Sequence, residues 1–217
     1  MVESLSRRSV LAGAAGLLLS GRALSQTHRN PAAAGTFNVD RFIDDVKTAG
    51  AETDRQQAIE EVLRRALSQP RAVLAELGEP KEAGIHTLHR ADDLTILNVV
   101  WAPLMVLLPH NHNMWAAIGI YTGRADNILW QREGDIIEAR GAASLSEQEV
   151  FGLPQDAIHS VTNPIGQLTG AIHIYGGDFF LPGRSEWDAK TLHERPFDLE
   201  AAREEFTKAA KRYNSAL

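Results

Sequence analysis

Between Ile85 and Tyr175 the chain is cut into short β-rich runs by Gly, Pro, Asn and Asp at regular intervals. That rhythm restricts the fold more than any other feature. The runs 94–101, 115–122, 127–133, 136–140, 149–153, 157–161 and 168–175 have strand length and strand composition. Short strands so evenly separated by turns predict an antiparallel barrel or sandwich.

Both flanks of this region have a helical period. Val39, Phe42, Ile43 and Val46 recur at helical spacing, and Ile59, Val62, Leu63 and Leu67 do so again. Val73, Leu74 and Leu77 predict a short third helix. Asp40 and Asp54 stand near helix starts, Gly50 and Gly78 near helix ends. Residues 199–213 return to helix, with Ala201, Ala202, Phe206, Ala209 and Ala210 on the apolar side. The expected organisation is a leader over 1–25, a linker over 26–38, a helical segment over 39–84, a β-barrel over 85–190 and a C-terminal helical segment over 191–217.

The leader is read from Ser6-Arg7-Arg8-Ser9-Val10-Leu11, a twin arginine followed by an apolar stretch and by Ala23-Leu24-Ser25, a small-x-small pattern before Gln26. This is the pattern of a twin-arginine export signal, and the location it implies is the periplasm. The apolar stretch falls short of the roughly 20 residues a membrane span needs, so no stable anchoring is expected after cleavage.

Composition narrows the chemistry. There is no cysteine among the 217 residues, which excludes disulfides, thiolate metal sites and a cysteine nucleophile. Any metal is therefore held by imidazole, carboxylate or carbonyl. The formal net charge is −6 and the body of the chain has no Lys/Arg cluster, so no nucleic-acid partner is expected.

The histidines of the β region supply the alternative. His110 and His112 alternate, and in a strand residues i and i+2 face the same side. Pro109 before them marks an edge or a strand start. His159 follows on another predicted strand. His110, His112 and His159 are the candidate ligands of one metal ion. Zinc accepts three histidines plus water, and nickel and manganese are also open, so the ligands alone do not choose the metal.

His110-x-His112, then Gly123, then Pro154, His159 and Asn163, resembles the paired motifs of the cupin superfamily. Cupins usually carry a Glu four or five residues after the second histidine; here those positions are Ala116 and Ala117. The glycine usual six residues before the first histidine is Leu104. A three-histidine cupin without the Glu is similar to thiol dioxygenases of the cysteine dioxygenase type. The stretches 98–103, 109–115, 158–164 and 170–180 resemble bacterial members of that group, and the resemblance covers roughly residues 85–190.

The resemblance implies a mainly β, jelly-roll-like double-stranded β-helix with N-terminal helices and a C-terminal helix. It implies one Fe(II) per chain, a small thiol (cysteine, cysteamine or 3-mercaptopropionate) and O2 as substrates, and a sulfinate product. Three neutral imidazoles leave a divalent ion its full charge, which favours an anionic ligand such as a thiolate. In the family a Ser-x-His-x-Tyr run orients a tyrosine hydroxyl near the metal. Here the run is Ala171-Ile172-His173-Ile174-Tyr175, so His173 and Tyr175 match as catalytic residues and the serine is missing. Arg90 stands roughly where the family places its carboxylate anchor, with Arg124 and Arg132 as alternatives. Met114 and Trp115, with Trp101 and Trp130, are candidates to line the pocket. Asn163 is expected to fix a turn, and His86 and His89 to be non-ligands. Other expectations remain open: a three-histidine cupin dioxygenase cleaving a carbon–carbon bond, or a non-catalytic periplasmic metal-binding cupin; under every reading the chain is expected as a monomer or small homo-oligomer.

Overall fold

The protein is described here by a computed structural model covering residues 36–215. The twin-arginine segment and most of the linker lie outside the described residues. The first helices are α1 (Val39–Gly50), α2 (Arg55–Leu67) and α3 (Pro70–Leu77). Asn38 caps α1: its side-chain oxygen accepts from the Arg41 N–H at 2.9 Å, satisfying a donor that the first helical turn leaves free. Pro70 opens α3, where a missing N–H costs nothing.

Eleven strands follow: β1 (Gly84–Arg90), β2 (Thr95–Trp101), β3 (Val106–Asn111), β4 (Ala116–Thr122), β5 (Arg124–Glu133), β6 (Ile136–Ser146), β7 (Val150–Leu153), β8 (Ile158–Thr162), β9 (Thr169–Tyr175), β10 (Ser185–Trp187) and β11 (Glu194–Pro196). Helix α4 (Leu199–Asn214) closes the described chain. Strands β1, β3, β10 and β11 add to the seven runs read from the sequence. β11 lies inside the stretch expected to be helical, because Glu194–Pro196 pairs antiparallel with β10.

The eight strands β2 to β9 pair as nested antiparallel ribbons: β5 with β6, β4 with β7, β3 with β8 and β2 with β9. Two sheets result, ordered β1-β2-β9-β4-β7 and β11-β10-β3-β8-β5-β6. That nesting is the jelly roll, the double-stranded β-helix of cupins. The fold is mainly β, with helices before the barrel and one after it.

One apolar cluster fills the interior, with Leu97, Val99, Trp101, Ile118, Ile120, Val161 and Tyr175 on inward positions, closed by Phe206 of α4. A second cluster packs α1, α2 and α3 against the back of the first sheet through Leu63, Leu67, Ile96, Tyr121, Ile172 and Ile174. Gly119 is required there: a Cβ would lie 2.3 Å from the Leu67 side chain, so only glycine lets α2 approach β4 this closely. Asn163 fixes its turn, donating to the carbonyls of Trp101, Ala102 and Gln167 and accepting from the Ile165 N–H. Leu104, standing where the motif has glycine, takes φ 58° and is 70% exposed. An L-residue bears the strain of that left-handed turn and its side chain is left in solvent.

Candidate metal centre

β3 and β8 are neighbours, and His110 stands directly opposite His159 across them. The register slips between Leu107 and His110. Pro109 lies in the slip, where its missing N–H interrupts no regular ladder. β3 ends at Asn111, so His112 sits just past the strand end. Its ring nevertheless meets His110 edge-on at 4.9 Å between centroids and His159 at 5.1 Å. The three ligand nitrogens lie within 4.8 Å of one another, and all three side chains are buried.

Two of the rings are held in a defined tautomer. His110 Nδ1–H donates to the Leu108 carbonyl at 2.8 Å, and His159 Nδ1–H donates to Asn127 Oδ1 at 3.0 Å. Each leaves Nε2 as a lone pair facing the cluster, the usual arrangement behind metal-bound histidines. The Nε2 atoms of His112 and His159 face each other at 2.9 Å. His112 Nδ1 is buried without a protein partner.

Burial, the largest influence, holds the cluster neutral. It lowers His110 to about 4, aided by the charge of Arg184 and opposed by the bond to Leu108. His112 and His159 are pushed well below the ordinary histidine value by burial and by neighbouring imidazoles. Neutral imidazole is the form that binds metal. Among the described residues no carboxylate joins this group. The three histidines thus fit a divalent ion that accepts nitrogen ligands, and this cupin-fold chain can hold a metal there.

His173 and Tyr175 come from β9, on the facing sheet. The His173 Nδ1 and Tyr175 hydroxyl are 2.9 Å apart, and the Tyr175 ring lies 4.9 Å from that of His112. Burial lowers His173 to about 3 and raises Tyr175, the latter opposed by Arg184. Both are therefore neutral at ordinary pH. They line the same small cavity as the three histidines, a space of about 30 Å³ bordered on the far side by Phe197, Leu199, Ala202 and Phe206.

The structure turns the expected pocket residues elsewhere. Arg90 already has a carboxylate: its guanidinium makes a bidentate pair with Asp178 at 2.9 and 2.8 Å and lies over Phe180. Arg124 and Arg132 are likewise paired, with Asp126 and Glu194. Trp115 packs into the cluster beneath the helices, on the back of the sheet. Its indole passes where a Gly176 Cβ would be, 2.1 Å from Nε1. Met114 rests against Gly177, outside the cavity lining. Trp130 donates to Ser160 and packs beside Ile137 and Trp187. Of the four candidates Trp101, Trp115, Trp130 and Met114, only Trp101 borders the cavity.

Arg184 is the buried cation near the centre: it packs on Phe179 and Phe197, which line the cavity, and does not itself border it. It is 6% exposed and sandwiched between Phe179 and Phe197, 4.3 and 4.4 Å from their ring centroids. It makes no ion pair among the described residues, and its Nη1 is buried without a protein partner. Burial depresses its pKa, and its charge is felt at His110, His112 and Tyr175. Sequence periodicity does not mark it, because it sits in the irregular link between β9 and β10. Asn127, which holds His159, is the other side chain at the candidate centre that pattern reading passed over.

No protein-family model matches the chain, and no curated protein matches it. Solved structures similar to it include an RmlC-like cupin family protein with a double-stranded β-helix fold from Methanocaldococcus jannaschii. That similarity has 13% identity and TM-score 0.40, over 47% of this chain and 86% of the other. A conserved protein with a double-stranded β-helix domain from Klebsiella pneumoniae gives 10% identity and TM-score 0.39, over 50% and 83%. Oxalate decarboxylase from Bacillus subtilis gives 14% and 0.37, over 46% of this chain and 27% of that one.

Proposed function

We propose that this chain is an iron(II)-dependent dioxygenase that adds both atoms of O2 to the sulfur of a small mercapto acid, yielding a sulfinate. The observation that carries this reading is the charge of the site. Three neutral imidazoles leave a divalent ion uncompensated, and the buried guanidinium of Arg184 adds a second unpaired positive charge beside it. Buried charge is costly until it is paired. A molecule carrying a thiolate and a carboxylate supplies both missing anions, and a guanidinium binds a carboxylate through two parallel hydrogen bonds. A 3-mercaptopropionate- or cysteine-type substrate is therefore favoured over cysteamine. The small cavity favours it over a bulkier diketone or phenol.

Iron bound at His110, His112 and His159 would supply the redox chemistry and open coordination positions. The protein's own part is to orient and to dry the site. Arg184 holds the carboxylate end, with Phe179 and Phe197 fixing the orientation of its planar guanidinium. Tyr175, neutral and oriented by His173, offers a hydroxyl at the histidine cluster. The α4 wall shields the site from bulk solvent. The twin-arginine segment supports a periplasmic site of action.

Oxygen uptake and sulfinate formation by the iron-loaded chain test this with 3-mercaptopropionate, cysteine and cysteamine. The carboxylate thiols are expected to turn over best. Arg184→Gln should raise their KM about 10- to 100-fold, the loss of a charged hydrogen-bonded pair, and leave cysteamine unchanged. Full iron occupancy with no uptake on any thiol would discard the proposal.

A further inference from the structure

His173 has a second ring nitrogen that the Tyr175 bond does not use. His173 Nε2 is buried without a protein partner, and so is Trp101 Nε1. Their side chains border the same cavity, with ring centroids 6.3 Å apart and planes inclined at 33°. The indole N–H can only donate, whereas an imidazole nitrogen donates or accepts. Unpaired buried polar atoms are rare in folded proteins and each is costly. Two of them, one of fixed donor character, border one small space.

Both face inward from neighbouring strands. Trp101 pairs with Thr169 and Val99 with Ala171 across β2 and β9, so Ala171 lies between Trp101 and His173 on the inward side. Ala171 is fully buried and brings no polar atom. The cavity's 30 Å³ admits one water molecule.

We propose that Trp101 is a positioning residue for Tyr175, acting through His173. Its indole N–H, relayed by one buried water, holds His173 Nε2 as an acceptor. The inward residues between the two rings, Val99 and Ala171, are apolar. A water accepting from both rings would leave both its own protons unpaired there. A water accepting from Trp101 and donating to His173 leaves only one. The His173 proton then resides on Nδ1 and is donated to the Tyr175 oxygen, 2.9 Å away. That frees the tyrosine's own proton to be offered to the cavity beside His112. The opposite tautomer would consume the tyrosine proton in the bond to His173 and leave the hydroxyl only an acceptor. Trp101 itself is held by Phe206 of α4, at 5.1 Å between ring centroids.

This assignment deepens the dioxygenase reading and rests on it for its purpose, but its test needs neither iron nor thiol. Nitrogen-15 NMR of the full-length, metal-free chain distinguishes protonated from unprotonated imidazole nitrogens, with His173 assigned by difference from His173→Gln. The expected native spectrum shows His173 protonated on Nδ1 alone. Trp101→Phe should convert a measurable share to the Nε2-protonated form, and adding Ala171→Ser should restore the native form by supplying a hydroxyl to Nε2. Native His173 protonated on Nε2 would overturn the proposal before any variant is made. So would a Trp101→Phe spectrum unchanged from the native one. Neither result bears on whether the iron-loaded chain oxidises a thiol, so the two readings fail separately.

Discussion

The two sheets of the barrel differ in what lies behind them. The first carries α1, α2 and α3 on its back, so β2 and β9 are buried at every position and β4 at all but its last. The second exposes its back: β5 and β6 keep many side chains in solvent. The site divides along the same line. The three candidate metal ligands come from β3, its end and β8 of the half-exposed sheet, while His173 and Tyr175 come from the sheet buried on both faces. A regular, doubly covered sheet holds a neutral hydrogen-bonded pair in one orientation with no solvent to compete. A sheet with one free face tolerates the slip at Leu107/His110, and such irregularities re-aim side chains beside functional sites. Here the slip accompanies the convergence of two histidines from one chain segment on a third.

The sharpest way to break this comparison is through the backs of the sheets. Ile172, fully buried under the helices, should lose about 2–5 kcal/mol of stability on change to Ala. Ile128→Ala on β5, at a side chain 41% exposed, should stay within about 0.5 kcal/mol. Urea denaturation of the two variants reads the difference. Equal losses would mean that both sheets are covered alike.

A smaller effect is expected behind the ligands. Asn127→Leu strands the His159 Nδ1–H and should weaken metal binding about 10- to 100-fold. Competitive titration against a chelator measures this, and unchanged affinity would remove Asn127 from the centre.

The smallest effect per step is in pH. His110 and His173 are lowered in the fold to about 4 and about 3, below the ordinary value of 6.5. Below 6.5 the unfolded chain takes up protons that the folded metal-free chain refuses. Their contribution is therefore complete above pH 6.5 and is lost as pH falls toward 4 and 3. The slope is up to about 1.4 kcal/mol per pH unit for each group. Denaturation midpoints measured from pH 7 to 4.5 should fall, and less steeply in His173→Gln. A flat profile would mean these imidazoles are not buried in neutral form.

Much of the barrel was legible because its signal is local. The seven runs from 94 to 175 announce strands by composition and by the turns between them. The strands that were missed lack such signals. β10 and β11 are three residues each and exist only because they add to the edge at β3. β1 reads as mixed polar and apolar because it lies at a sheet edge and is half exposed. The ligand set could be written down from His110, His112 and His159, since strand alternation and the motif spacing both concern backbone geometry. The buried, unpaired cation could not. Arg90 and Arg184 are indistinguishable as letters, and what separates them is an acid 88 residues away from the first.

The sequence by itself determined the antiparallel β core between helices, the absence of sulfur ligands and the three imidazoles available to one ion. These follow from period, punctuation and composition, which act within a few residues. Only the tertiary structure decided which cation stands unpaired beside those imidazoles, and which tryptophan meets the cavity. Asp178 neutralises Arg90 in solvent reach, whereas Phe179 and Phe197 enclose Arg184, which pairs with no acid among the described residues. Trp115 lies under the helices and Trp101 over His173 because they fall on opposite faces of the first sheet's packing. Charge pairing and burial are set by neighbours that folding brings from far along the chain, and a pattern read in a short window does not contain them.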